Sequence, residues 1–286
     1  MAGLEGALVE AVLQRIGLAN TPTLDLTGLS SIYTAWCRHV PFDNCRKLIA
    51  CRTQAAGPLP GDDPRDFFEA WIRHGVGGTC WAVHGAWCEL LRTLGFKAHR
   101  AAATMMVAPN LPPNHGTVVV VIAGKAYLVD VGIMFVEPLP IIPGQESGID
   151  HPAWGVHGHW LDDKYAVRWR ALHQPDPFDC RIDEWPVDAQ RFSAQHESTR
   201  AWSPFNFQLN FNLVKDGGRI GVGMGEEVRI GADGLMTRTP LIDRLAYLID
   251  ELGVSEELAR QIPPDVPTPP PPGSKTAIRM SNRPPD

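Results

Sequence analysis

Gly77-Gly78-Thr79-Cys80, followed by Trp81-Ala82-Val83-His84-Gly85-Ala86-Trp87-Cys88-Glu89-Leu90-Leu91-Arg92-Thr93-Leu94-Gly95-Phe96, is the stretch whose reading decides the fold. From Trp81 to Phe96 the run is strongly helical. Val83, Trp87, Leu90, Leu91 and Leu94 form one apolar stripe, and Gly95 supplies a C-terminal stop. Cys80 therefore stands at the mouth of a helix. There a thiol meets unpaired backbone N–H groups and the positive end of the helix dipole, which favour thiolate over thiol. Cys88, further along the same helix, reads as buried packing.

Downstream, Thr117–Ile122 and Ala126–Val131 are valine-rich runs around Ala123-Gly124, the strongest hairpin signal in the chain. A two-residue turn pairs Ile122 with Lys125 and Thr117 with Asp130. Side chains alternate along a strand, so His115, Thr117 and Asp130 share a face. His115 and Asp130 become diagonal neighbours, roughly 7–8 Å apart at Cα and within side-chain reach. A loop one residue longer or shorter would place them on opposite faces. Cys80, His115 and Asp130 then form a nucleophile, a base and an orienting carboxylate, the set that covalent acyl chemistry on sulfur requires. A cysteine before a helix or a histidine before a strand is commonly packing or capping. An aspartate inside Leu-Val-Asp-Val-Gly is harder to explain so, because a buried carboxylate needs a partner.

The chain has 286 residues, 44% hydrophobic and 20% charged, which fits a globular protein of more than one compact unit. A net charge of -6 gives no reason to expect nucleic acid or an anionic membrane as partner. No apolar run reaches the length of a membrane span. Met1–Ala19 lacks the basic-then-apolar order of a signal peptide and carries Leu8, Val12, Leu13 and Ile16 at helical spacing, so a cytoplasmic protein is expected. Cys37, Cys45, Cys51, Cys80, Cys88 and Cys180 form no close ligand pair, so no metal is expected and the cysteines read as reduced.

The first third is helical in pattern, with helices expected over Leu4–Ile16, Leu26–Cys37 and Arg65–Arg73 before the one after Cys80. From Ala98 to Pro204 the pattern is of strands. Tyr165–Trp169, Phe207–Val214, Arg219–Val222 and Glu227–Ile230 are further strand candidates, with helices over Leu241–Leu252 and Ser255–Gln261. The glycine-rich Gly221–Gly225 reads as a loop between strands. His151, His157, His159 and His173, with Trp154 and Trp160, read as an insertion loop. Residues 263–286, with prolines from Pro267 to Pro272, form a tail expected to be disordered or an extended strap.

These residues resemble the arylamine N-acetyltransferases. The family carries Arg-Gly-Gly-x-Cys, a histidine before a strand, and Asp-x-Gly on the next strand. Here these are Gly77-Gly78-Thr79-Cys80, Asn114-His115-Gly116 and Asp130-Val131-Gly132. Val40-Pro41-Phe42-Asp43-Asn44 resembles its Pro-Phe-Glu-Asn segment, and Arg15-Ile16-Gly17, Pro138-Leu139 and Ser203-Pro204 with Phe205 and Phe207 match softer signatures. The resemblance implies an α+β fold with a cysteine-protease or transglutaminase-like core. A helical unit (1–97) carries the cysteine, an antiparallel β-barrel-like unit (98–204) carries the histidine and aspartate, an α/β lid (205–262) follows, and then the tail (263–286). It implies a ping-pong enzyme in which acetyl-CoA, or another acyl thioester, acylates Cys80, and an aromatic amine, hydrazine or hydroxylamine accepts the group. The acceptor would meet Phe42, Trp81, Ile133 and Phe207, and CoA would lie near Gly132 and Met134.

Several positions depart from the family pattern. Val76 stands where the family has arginine, and Cys-Phe-Glu-x-Asn becomes Cys80-Trp81-Ala82-Val83-His84. Ile133 replaces an aromatic residue and Met134 a glycine. The altered cleft admits a second reading, an amide synthase that takes its acyl group from a carrier-protein thioester in natural-product assembly. A third is a catalytically inactive member acting as a binding protein. His84, one turn after Cys80, either tunes the thiolate or replaces the family's asparagine as a structural donor.

Overall fold

The computed structural model describes residues 3–107, 112–172 and 176–272. Helices form where the apolar spacing predicts them: α1 (Gly6–Arg15), α2 (Leu26–His39), α4 (Pro64–His74) and α5 (Cys80–Thr93). Between α2 and α4 lies α3 (Cys45–Arg52), which no apolar stripe announces, because Arg46, Lys47 and Arg52 interrupt it. The start of α4 follows local chemistry. Asp63 accepts the Arg65 N–H at 2.9 Å, and Pro64 occupies the first turn. The α5 helix is buried on nearly every side, from Cys80 through His84 and on to Leu91. A helix so surrounded belongs to the centre of a fold. It packs between α4 and the strands β2 (Lys97–Met105) and β3 (His115–Ile122).

The expected hairpin is present. β3 pairs with β4 (Lys125–Leu128) in the register Ile122↔Lys125 to Val119↔Leu128, about the Ala123-Gly124 turn. The second strand is shorter than the sequence predicts, ending at Leu128 rather than Val131. The Val129 N–H still bonds Val118 O at 3.0 Å, but beyond it the chain folds around Asp130, whose carbonyl accepts the Met134 N–H at 2.9 Å. β5 (Leu139–Ile141), β6 (Ser147–Ile149), β7 (Val156–Leu161), β8 (Lys164–Trp169) and β9 (Phe178–Val187) complete an eight-stranded antiparallel sheet, ordered β5-β4-β3-β2-β9-β8-β7-β6. Tyr165 on β8 bonds both Ser147 of β6 and, at 3.3 Å, Pro140 O of β5, drawing the two edges into a nearly closed barrel.

Two parts of this region differ from the sequence reading. The histidine-rich segment is largely the β7–β8 hairpin rather than an insertion loop. His157 and His159 alternate along one face with their rings stacked 5.5 Å apart, a period-two signal. His173 lies outside the described residues. The strand-rich stretch also contains α6 (Ala189–Ser198), started by Asp188, which accepts the Arg191 N–H at 2.7 Å.

A second sheet, ordered β1-β10-β11-β12-β13, joins β1 (Phe42–Asp43) to β10 (Phe211–Lys215), β11 (Gly218–Gly223), β12 (Glu226–Ile230) and β13 (Met236–Pro240). A strand from the helical first third thus pairs with the last third, at Phe42↔Asn212 and Asp43↔Phe211. β10 begins later than predicted because side chains take the backbone groups before it: Asn44 holds Gln208 O and the Asn210 N–H, and Asp265 the Leu209 N–H. Gly221 and Gly223 lie within β11 rather than in a loop, and Met224-Gly225 makes the turn. Cys45, Leu48, Val76, Phe211, Val222 and Leu248 fill the core beneath this sheet. The predicted terminal helix is α7 (Arg244–Ala246) continuing as a π turn, Tyr247–Glu251, and α8 (Glu256–Ala259) follows. Beyond it the chain is strapped to the body: the Val266 N–H bonds Phe207 O at 3.0 Å, and Asp265 accepts the Leu209 N–H at 3.0 Å. Residues 273–286 of the tail lie outside the described residues. Among the described helices none is long and apolar enough to cross a membrane.

Candidate active site

The fold brings Cys80, His115 and Asp130 to one buried place. Cys80 is the first residue of α5, His115 the first of β3, and Asp130 stands in the turn after β4. Their exposures are 7%, 3% and 0%. His115 Nε2 lies 2.7 Å from Asp130 Oδ2. That bond leaves Nδ1 as the ring nitrogen that faces sulfur. The other Asp130 oxygen accepts two backbone N–H groups, from Gly132 at 2.9 Å and Ile133 at 2.7 Å, and Tyr33 donates to the Asp130 carbonyl at 2.7 Å. The carboxylate is therefore held at both ends.

The electrostatics favour an ion pair. Burial opposes charge on Asp130, but the charge of His115 and its hydrogen bond outweigh it and hold the carboxyl well below the usual carboxylate range. Burial also opposes charge on His115, yet Asp130 and Cys80 outweigh it and raise the imidazole to about 10. For Cys80, burial works against the thiolate. The His115 imidazolium, the Gly116 N–H and the Lys47 ammonium work for it, and the balance lowers its pKa. The other buried cysteines, without such partners, are pushed upward, Cys37 to about 12.

His84 resolves into a structural role. Its Nε2 accepts the Val131 N–H at 2.9 Å, which requires the proton to reside on Nδ1; that nitrogen donates to Cys80 O at 2.7 Å. The ring ties the first turn of α5 to the Asp130 loop. The ligating atoms of His84, His115 and Asp130 lie within 4.8 Å of one another, a donor set that a cation could use. Here each of those atoms is already engaged by a hydrogen bond.

The residues expected at the substrate lie at different distances from this centre. Gly132 lies directly against it: a Cβ there would stand 3.2 Å from His84 Cε1 and 3.3 Å from His115 Cε1. Phe42 meets Phe205 edge to face at 5.4 Å, so the neighbouring ring is Phe205 and not Phe207. The Phe207 carbonyl serves instead to hold Val266 and Arg52. Trp81 is 2% exposed and packs edge to face on Phe192 of α6 at 4.8 Å, in the core rather than presented to a ligand. Ile133 and Met134 are both buried, Met134 at φ 62°, a left-handed conformation that a glycine takes at lower cost.

Sequence reasoning missed Lys47. It is 4% exposed, and its Nζ donates to Thr199 Oγ1 at 2.8 Å. Burial lowers its pKa to about 8, while Cys80 and Cys51 pull it back upward. Without α3 in the sequence reading there was no helix on which to place it. Asn44 closes the Pro41-Phe42-Asp43-Asn44 segment. Its amide clasps the 205–210 segment, donating to Phe205 O and Gln208 O and accepting the Asn210 N–H.

A protein-family profile described as N-acetyltransferase matches residues 25–153. Proansamycin X synthase from Amycolatopsis mediterranei (strain S699) is 27% identical over 145 residues, covering 49% of this chain and 54% of that protein, so the chain spans about half the length of this curated relative. Among solved structures, the arylamine N-acetyltransferase from Mycobacterium abscessus superposes with a TM-score of 0.74 at 16% identity, covering 89% of this chain and 93% of that one. The enzyme from Salmonella typhimurium gives 0.74 at 16% identity, over 91% and 98%. The Mycobacterium marinum enzyme in complex with CoA gives 0.74 at 18% identity, over 89% and 98%. The profile spans less than half of the chain, and the solved structures show the fold: this chain shares the fold of the arylamine N-acetyltransferases.

Proposed function

We propose that the chain is a cysteine-dependent N-acyltransferase that carries an acyl group on Cys80 between a thioester donor and an amine, by a ping-pong route in the cytoplasm. The observation that supports this most is the meeting of a sulfur with a lowered pKa, an imidazole with a raised one and a doubly held carboxylate in one buried place.

In this reading the Cys80 thiolate attacks the thioester carbonyl. The tetrahedral oxyanion is met by backbone N–H groups of the first turn of α5, where Thr79 makes no side-chain cap. Collapse breaks the carbon–sulfur bond of the donor, and the departing thiolate takes the proton from His115. The neutral imidazole then accepts a proton from the amine as it attacks acyl-Cys80. Amide is released, and the thiolate–imidazolium pair is restored. Asp130 keeps the imidazole oriented throughout. Residues 1–97 supply the nucleophile, 98–204 the base and its carboxylate, and 205–262 a lid. Phe42, with Phe205 beside it, lines the acceptor side, and Gly132 and Met134 line the path of the donor.

A second reading is favoured by two observations. The curated relative is a Proansamycin X synthase. In addition, fully buried Met134 stands where the family pattern has a glycine in the donor cleft. Both fit an amide synthase loaded from a carrier-protein thioester.

The test is to incubate the full chain with acetyl-CoA, and separately with acyl groups on a carrier protein, and to record intact mass. A single acyl adduct from acetyl-CoA that Cys80→Ser abolishes supports the first reading. An adduct from the carrier alone supports the second. No adduct from any thioester contradicts both and leaves a binding protein.

A further inference from the structure

A small cavity lies where the barrel meets the second sheet, lined by Ile133, Trp154, Trp169, Arg170 and Arg219 among others. The space open to the centre of a water-sized sphere is about 30 Å³. A water-sized sphere fills roughly 10–15 Å³, so the cavity has room for an occupant.

Its wall is unusual in polarity. Arg219, on β11, is only 2% exposed. Its Nε donates to Asn212 Oδ1 at 3.3 Å and its Nη1 to Arg170 O at 3.1 Å, while Nη2 is buried with no acceptor. Trp154 Nε1 and Trp169 Nε1 are likewise buried without acceptors. Three orphan side-chain N–H donors thus belong to residues around one cavity, and none of its described lining residues carries a side-chain acceptor. The charge is unbalanced as well. Burial lowers the Arg219 pKa to about 10, which leaves it cationic at neutral pH, and the one cationic group acting on it is Arg170. Its remaining electrostatic neighbours are Cys37 and Tyr33, both buried and held protonated by that burial. Arg170 is itself spent on carbonyls, reaching Gly234 O at 3.1 Å.

A buried guanidinium without a counter-ion is costly, and so is each orphan N–H. A water accepts only two hydrogen bonds and has two protons of its own to place. A spherical monovalent anion has no proton of its own to place, and it neutralises the charge. We infer that this cavity is a binding site for a small monovalent anion of the halide class, chloride in the cell, which joins the barrel to the second sheet. The site is separate from the proposed acyl-transfer chemistry, although Ile133, whose N–H holds Asp130, forms part of its wall.

The test is thermal unfolding of the full chain at fixed ionic strength, with chloride exchanged for gluconate. A saturable rise in Tm with chloride is expected. Arg219→Met should abolish that rise, whatever its own Tm. Trp169→Phe, which keeps most of the ring and removes only the N–H, should weaken the apparent halide affinity by about tenfold. Crystals grown in bromide should show an anomalous peak in the cavity. A melting curve indifferent to the anion, a halide effect undiminished in both variants, or cavity density without anomalous signal in bromide would overturn the proposal in favour of water.

Discussion

The Val131 N–H donates to His84 Nε2 at 2.9 Å, and through the same ring Cys80 O is held at 2.7 Å. One side chain therefore sets the distance between the helix that carries the sulfur and the loop that carries the carboxylate. His84→Phe keeps most of the volume and loses both bonds, leaving a buried N–H without a partner. We expect a loss of about 1–3 kcal/mol in denaturant unfolding, together with slower alkylation of Cys80. Unchanged stability would show that the ring is only filler.

Gly116 follows His115, and a Cβ on it would stand 2.6 Å from Phe192 Cζ and 2.7 Å from Trp81 Cε3. Gly116→Ala should cost about 1–3 kcal/mol by overpacking. Phe192→Leu in the same chain should recover part of that loss. Additive losses in the double variant would place the strain elsewhere.

Ala82 is 2% exposed, and Val76 is buried in the core beneath the second sheet. The family pattern has a glutamate and an arginine at these two positions. Ala82→Glu alone inserts a carboxylate without a counter-charge, and a cost of about 3–5 kcal/mol is expected in thermal or denaturant unfolding. An unaltered Tm would mean that the site finds another cation.

The ion pair carries a signature in stability against pH. His115 is raised from 6.5 to about 10, and Cys80 is lowered from 9.0. Between about pH 6.5 and 9 the unfolded pair holds its proton on sulfur and the folded pair holds it on imidazole. The proton count is equal, so the pair adds no slope there. In Cys80→Ala only the raised histidine remains. Its contribution is fully present below 6.5 and is lost as pH rises through its folded value. The difference between the two stability curves should therefore widen from pH 6.5 upward. Parallel curves would mean that no proton passes from Cys80 to His115.

Much of this centre was legible because it rests on local rules. The helix after Cys80 shows a stripe, and the Ala123-Gly124 turn fixes which face His115 takes. What stayed hidden rests on contacts between distant segments. The pairing of β1 with β10 involves only two residues of β1, too few for a period. Lys47 sits on a helix without an apolar stripe, and the role of His84 depends on a backbone N–H that no sequence pattern marks. Phe205 and Phe207 are close in sequence, and only the 3-10 turn at Pro204–Asn206 decides which ring meets Phe42.

The account depends most on the charge state of one sulfur. The rate of Cys80 alkylation by iodoacetamide, followed by peptide mass between pH 5 and 10, measures it directly. The account predicts a titration below the ordinary thiol value of about 8.5, moved up toward that value in Asp130→Asn. A wild-type midpoint at or above the ordinary value, unmoved by Asp130→Asn, would contradict it.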